Sequence, residues 1–249
     1  MGNLKDEIFV CLDCESTGLD SENDKIIEVA AVTFTFDKIL NTYESLINPE
    51  CEIPESSQKI HNISQEMVKD QPKIVEILPS LVEFLGHYII IGHGITFDIA
   101  LLANAAKRHS LPFPKKSMRF IDTLRLARLY GESPINSLEK LRQHFNIAAE
   151  GAHRAMNDVV VNIEVFKHLT KNFKTTEEIL TRLEKPIRLK AMPLGKHKGR
   201  RFEEIPVEYL QWAASKDFDE DLLYSIRKEL STRKKGNKFE QASNPFSTL

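Results

Sequence analysis

The stretch Ile8-Phe9-Val10-Cys11-Leu12-Asp13-Cys14-Glu15-Ser16-Thr17-Gly18 decides how this chain folds. Its first five residues are apolar and partly β-branched, which predicts a buried strand over Ile8 to Asp13, and side chains two apart on a strand share a face. Asp13 and Glu15 therefore project together. Gly18 lets the chain turn, while Ser16 and Thr17 place small polar groups and backbone donors beside whatever the carboxylates hold. An Asp-x-Glu pair alone ordinarily means two solvated carboxylates. Two further stretches give this one its meaning.

In Ile91-Gly-His-Gly-Ile-Thr-Phe-Asp98-Ile-Ala-Leu-Leu102 a short apolar run from Tyr88 reaches a glycine turn, and a helix is predicted over Phe97 to Arg108. Asp98 falls in its first turn. A carboxylate there suits the helix macrodipole, yet a strand-to-helix turn is also where an α/β sheet exposes functional groups. The third stretch, His153-Arg154-Ala155-Met156-Asn157-Asp158, opens an apolar helix predicted over Ala155 to Leu169. Asp158 follows His153 by about a turn and a half and is expected to face the same pocket. Four carboxylates and an imidazole point to a phosphodiesterase assisted by two metal ions.

The motifs DCESTGL, GHGITFD and HRAMND resemble the three exonuclease motifs of the DEDDh class, the proofreading (epsilon-like) group of the ribonuclease H-like fold. The likeness spans Ile8 to Leu169. Lys25-Ile26-Ile27-Glu28-Val29-Ala30 is similar to the family's second strand, and Ile60-His61-Asn62-Ile63-Ser64 to its His-Gly-Ile-Thr loop. The resemblance implies that Asp13, Glu15, Asp98 and Asp158 hold two divalent cations, with Asp13 bridging, and that His153 is the general base. It also puts Ser16, Thr17, Gly18, His61, His93 and Phe97 at the substrate. Hard carboxylate oxygens favour Mg2+ or Mn2+. An imidazole titrating near about 6.5 predicts activity at neutral to alkaline pH. The chain departs from the family at Gly94, commonly Asn, and at Asn62, usually Gly; both bear on loop geometry and substrate contacts.

The implied activity is a 3′–5′ exonuclease that removes nucleoside 5′-monophosphates from the 3′ end of DNA, with proofreading beside a DNA polymerase subunit as one setting. The metal chemistry ignores the sugar, so an RNA-trimming exoribonuclease of the same class is the alternative. A non-catalytic nucleic-acid-binding or polymerase-associated scaffold is the reading from another class, and it would gain weight if one of the five residues were missing.

Length and composition suit one full domain with an appendage: 249 residues, 41% hydrophobic and 28% charged. No apolar run approaches a membrane span, and the first residues lack a signal peptide's apolar core, so a cytoplasmic protein without membrane contact is expected. Cys11, Cys14 and Cys51 have no metal-site spacing and read as buried or incidental thiols. Charge is uneven: residues 1–180 carry 19 Lys+Arg against 26 Asp+Glu, net −7, and residues 181–249 carry 15 against 10, net +5. A basic extension favours a polyanionic ligand.

The expected organisation is an exonuclease domain over 1–175, a linker over 176–192, a small basic, mostly helical C-terminal module over 193–230 and a disordered tail over 231–249. In the module, Lys196, Lys198, Arg200 and Arg201 surround Gly195 and Gly199 and are expected to contact phosphates, while Tyr209 and Trp212 are expected to fill a small core. The segment Pro193 to Ala214 resembles a small module of some bacterial exonuclease-like proteins, which assigns it no role. The fold class expected for the domain is α/β. Strands over Ile8 to Asp13, Ile26 to Phe36 and Ile39 to Ile47 form a meander. Helices over Ser64 to Lys69 and Lys73 to Leu85, a strand over Tyr88 to Ile91, a short strand over Phe120 to Asp122 and a helix over Leu138 to Phe145 complete a mixed sheet flanked by helices.

Overall fold

The structure is a computed structural model and describes residues 3–133, 135–148, 154–216 and 218–242, with side chains to residue 234. It divides into two compact units, one reaching Leu183 and one starting at Glu184.

The first unit is built on a five-stranded sheet: β1 (Phe9–Ser16), β2 (Ile26–Phe34), β3 (Ile39–Leu46), β4 (Ile89–Gly92) and β5 (Phe120–Asp122), in the order β3-β2-β1-β4-β5. The first three strands form an antiparallel meander, and β4 and β5 continue from β1 in parallel. The sheet is therefore mixed, as its sequence predicts. The helices are α1 (Glu55–His61), α2 (Gln65–Val68), α3 (Ile74–Leu85), α4 (Thr96–Arg108), α5 (Thr123–Tyr130), α6 (Leu138–His144), α7 (Ala155–Thr170) and α8 (Thr176–Leu183).

Alternation along β1 sorts its side chains between two layers. Val10, Leu12 and Cys14 join a core with Leu81 and Leu85 of α3 and Ile99 and Leu102 of α4. The other face carries Phe9, Cys11, Asp13 and Glu15. Phe9 meets Phe166 of α7 edge to face, with centroids 5.3 Å apart, and the Cys11 thiol lies 3.7 Å from the Val159 carbonyl. Phe34 and Phe36 close this cluster, and such tilted ring pairs add to the energy of apolar burial. The strand thus turns its acidic residues toward α7.

Several expectations are corrected. β1 continues to Ser16, so Glu15 lies on the strand rather than beyond it. Besides α8, two helices of the first unit went unread, α1 and α5. The latter is announced by Asp122, whose carboxylate caps its first turn by accepting from the Leu124 N–H at 2.9 Å. The expected linker begins with a helix, α8, that packs into the first unit through Ile179 and Leu183.

In the second unit α9 (Val207–Ala214) and α10 (Glu220–Ala242) enclose a core of Met192, Phe202, Ile205, Leu210, Ala213, Leu222 and Ile226. The expected tail is helical as far as Ala242. Arg233 explains why the helix does not stop near Leu230: its guanidinium donates to the Phe202, Glu203 and Ile205 carbonyls and pairs with Glu229 at 2.9 Å. Residues 243–249 of that expected tail lie outside the described residues. Among the described residues no helix is long and apolar enough to cross a membrane.

Candidate active site

Asp13 and Glu15 leave β1 on the face that meets α7, and Asp158 stands in the first turn of that helix. Their carboxylate oxygens lie within 4.8 Å of one another. Asp98, in the first turn of α4, reaches the same strand from the opposite layer, accepting a hydrogen bond from the Cys14 backbone N–H at 3.0 Å. Residues separated by 145 positions in the chain thus share one corner. His153 lies outside the described residues.

The electrostatics of this corner are those of crowded negative charge. Burial pushes the Asp13 carboxyl well above the usual carboxylate range, and Asp98, Asp158 and Glu15 push it the same way. Glu15 is raised to about 7, by burial and by the charges of Asp158 and Glu28, with Arg154 opposing. Asp98 is raised to about 8 by burial, against the hydrogen bond from Cys14 N–H. Buried carboxylates that crowd one another need protons or a cation, and hard oxygen donors at this spacing suit a divalent ion. The donor set fits a metal site.

Two acidic residues that the sequence reading gave no role hold this corner in place. Glu28 of β2, fully buried, accepts from Arg154 Nη2 at 2.6 Å and Nε at 3.0 Å and from the Ala155 backbone N–H at 2.9 Å, so it fixes the start of α7. Asp122 accepts from the Gly94 N–H at 2.9 Å, tying β5 to the turn that delivers Asp98. Each had a signal. A carboxylate inside the apolar run Ile26 to Val32 is expensive to bury without a partner, and an Asp directly before a helical run is a capping signal.

The turn after β4 depends on two glycines. A Cβ on Gly92 would stand 2.4 to 2.9 Å from the Ile95 side chain, and Gly94 has φ of 77°. Glycine meets both demands, which gives Gly94 a backbone reason to replace Asn, the residue next best suited to that conformation.

The expected substrate residues fall into three groups. The Ser16 hydroxyl donates to the Gly18 carbonyl at 2.6 Å; the Thr17 hydroxyl donates to Asp24 at 2.7 Å and accepts from the Lys25 N–H at 3.0 Å. These hydroxyls are engaged in shaping their own loop, and Gly18 allows Asp24 to approach where a Cβ would stand 2.5 Å away. His61 ends α1 and is buried, its Nδ1 accepting from the Ile63 N–H at 3.0 Å and its Nε2 without a hydrogen-bond partner among the described residues. His93 lies 3.1 Å from the Thr123 hydroxyl, and burial holds it near 4, so it is neutral at physiological pH. Phe97 is half-buried against the α3–α4 core. The cations of the second unit, Lys196, Lys198, Arg200 and Arg201, are all exposed, and Arg201 pairs with Glu203 at 3.3 Å. Trp212 corrects an expectation: it is 50% exposed and lies outside the small core, because α9 buries Leu210 and Ala213 instead. Cys11 and Cys14 are buried and their thiols are raised by burial, as unreactive cysteines are; Cys51 is exposed.

Comparison with known proteins agrees with this geometry. Residues 10–166 match the exonuclease family (RNase T), and residues 178–229 match a family described as a putative quorum-sensing-regulated virulence factor. The chain is similar to the DNA polymerase III subunit epsilon of Aquifex aeolicus, 34% identical over 66% of this chain and 81% of that one. It is also similar to the PolC-type DNA polymerase III of Caldanaerobacter subterraneus, 34% identical over 75% of this chain but 14% of the relative, so it spans a small part of that longer protein. Among solved structures, exonuclease X in complex with 5′ overhanging duplex DNA superposes with a TM-score of 0.56 at 24% identity, over 69% of this chain and 96% of that one. That likeness is one of fold, the ribonuclease H-like mixed sheet.

Proposed function

The chain belongs to the exonuclease family, and from that premise we propose that it is a metal-dependent 3′–5′ exonuclease acting on the 3′ ends of DNA and releasing nucleoside 5′-monophosphates. The observation that carries the reading is the convergence of Asp13, Glu15 and Asp158 within 4.8 Å, with Asp98 bound to the backbone of Cys14 between them. In this reading Asp13, Glu15, Asp98 and Asp158 would hold divalent cations, Mg2+ or Mn2+.

Cations bound there would supply a nucleophile at neutral pH and charge relief at the leaving oxygen. The protein's own part is to hold these carboxylates close together, Asp98 buried and the other three half-buried, so that their protons yield to the metal. His153, one residue before Arg154 in sequence, takes the proton of the attacking water. His93 is neutral and adds no charge at the phosphate. His61, whose buried Nε2 has no partner among the described residues, is kept for a substrate group. Lys196, Lys198, Arg200 and Arg201 contribute phosphate contacts from the second unit.

DNA as substrate and proofreading beside a polymerase subunit are supported by relatives that are themselves DNA polymerase III proteins. The test is a 5′-labelled DNA or RNA oligonucleotide incubated with Mg2+, Mn2+ or chelator. The expected result is stepwise shortening of DNA with either metal, none with chelator and none by Asp13→Ala. Shortening by Asp13→Ala at the native rate would refute the site, and faster attack on RNA would move the substrate to the ribose class.

A further inference from the structure

The second unit carries a surface that its own core does not need. Tyr209 and Trp212 lie three residues apart on α9 and so share a face, with ring centroids 5.3 Å apart. Lys196 stands over the Tyr209 ring at 5.2 Å and Lys216 over the Trp212 ring at 5.1 Å. The result is a row: cation, ring, ring, cation. Its outer half is open, since Trp212, the single tryptophan of the chain, is 50% exposed.

The loop beside this row is built around it. Gly195, with φ of 71°, brings the backbone so close that a Cβ would stand 2.7 Å from the Tyr209 hydroxyl. His197 packs edge-on against Tyr209, centroids 4.5 Å apart, and is 9% exposed, with neither ring nitrogen hydrogen-bonded among the described residues. Gly199 donates to the Met192 carbonyl at 2.8 Å, closing the loop so that Lys198 and Arg200 stay outside it. Lys190, Lys196, Lys198 and Arg200 have no ion-pair partner among the described residues. Between Lys185 and Arg201 the chain has seven Lys or Arg and no acid.

We propose that this face is a single-stranded nucleic-acid site, on which bases stack against Trp212 while phosphates lie along Lys196, Lys198 and Arg200. Open aromatic rings flanked by free cations are what a sequence-tolerant strand platform requires: every base has a face to stack, and every phosphate a charge to neutralise. An apolar protein partner is disfavoured by the density of unpaired positive charge around the rings. The proposal rests on the reading that the chain acts on polynucleotide ends, and it adds a strand-binding surface within the second unit.

Trp212 is its own reporter. The full chain, in chelator to prevent cleavage, is titrated with oligothymidylate of about 12 nucleotides, within the range one such platform spans, while its tryptophan emission is followed. Saturable quenching that weakens with salt at a slope of about −2, as three phosphate contacts on a single strand give, is the expected result. By anisotropy of a labelled strand, Trp212→Ala weakens affinity roughly 5- to 150-fold, the loss of one stacked base. Trp212→Phe, which keeps a ring, retains part of it. Because Trp212 is half exposed, the variants are expected to keep the native melting temperature.

Absence of quenching, or unchanged affinity in Trp212→Ala, overturns the proposal. So does a blue shift of Trp212 emission with protein concentration alone, which would mean that a second copy covers the face. Wild-type shortening of the same strand in Mg2+ is measured alongside. Shortening without quenching removes the platform and leaves the nuclease, whereas quenching without shortening does the reverse.

Discussion

Glu28 and Arg154 stand 126 positions apart in the chain and meet in a two-pronged ion pair, Nη2 at 2.6 Å and Nε at 3.0 Å from Oε1, with Glu28 wholly buried. Glu28 also caps α7 through the Ala155 N–H. One carboxylate on β2 therefore decides where α7 begins, and so where Asp158 stands relative to Asp13 and Glu15. Glu28→Ala would leave the guanidinium and the helix N-terminus unpaired. The expected cost is about 3 kcal/mol, the low end for a broken buried pair because Arg154 is partly exposed, with loss of most exonuclease turnover. Urea unfolding and oligonucleotide shortening check both. Arg154→Lys, which loses the fork geometry, should retain more stability than Glu28→Ala and still lower the rate.

The crowding of the carboxylates opposes folding when no cation is bound. Asp13→Asn removes one of the mutually repelling groups and should raise the metal-free melting temperature by a few degrees, about 2–4 °C per kcal/mol gained in a chain of this size, while abolishing cleavage. A melting temperature below that of the wild type in chelator would contradict the account.

The same repulsion fixes a pH dependence. Glu15 near 7 and Asp98 near 8 are raised in the folded chain above the ordinary 4.5 and 3.8. The folded state then holds their protons where the unfolded state has released them. The stabilisation is complete below about pH 4 and is lost as pH rises toward about 7 for Glu15 and 8 for Asp98, at up to about 1.4 kcal/mol per pH unit for each group. Urea midpoints in chelator should therefore fall between pH 5 and pH 8. Saturating Mg2+ should flatten or reverse the slope, because the ion replaces the protons. A slope indifferent to Mg2+ would count against the metal site.

Asp122 offers a test of positioning. Asp122→Ala removes the acceptor of the Gly94 and Leu124 N–H groups and should cost about 1–3 kcal/mol. Through the turn that carries Asp98, it should lower turnover more than it raises KM. Asp122→Asn keeps an acceptor and should recover much of both. Steady-state kinetics of the pair against wild type decides whether Asp122 only stabilises or also aligns.

Much of the first unit was legible in its residues. The apolar run before Asp13, the glycine turn before Asp98 and the helical periodicity after Asp158 give strand, turn and helix locally, and the three motifs bring their own order. What escaped were features whose logic is long-range. The apolar-periodic segment Thr123 to Tyr130 is short, and its cap doubles as the last residue of a strand. Thr176–Leu183 resembles a linker until Ile179 and Leu183 find a core to enter. The continuation of α10 past Leu230 turns on where the Arg233 fork finds its carbonyls, and these lie on a different segment.

The sequence by itself determined which acidic groups the local elements present, because side-chain identity and local periodicity are properties of neighbouring residues: the Asp-x-Glu on a strand and the two acids in helix first turns. Tertiary structure alone decided that Glu28 holds Arg154, that the Ser16 and Thr17 hydroxyls serve their own loop, and that Trp212 faces solvent rather than the core. Those outcomes depend on which surfaces are left after distant segments have packed, and burial is a property of the whole fold rather than of any one stretch.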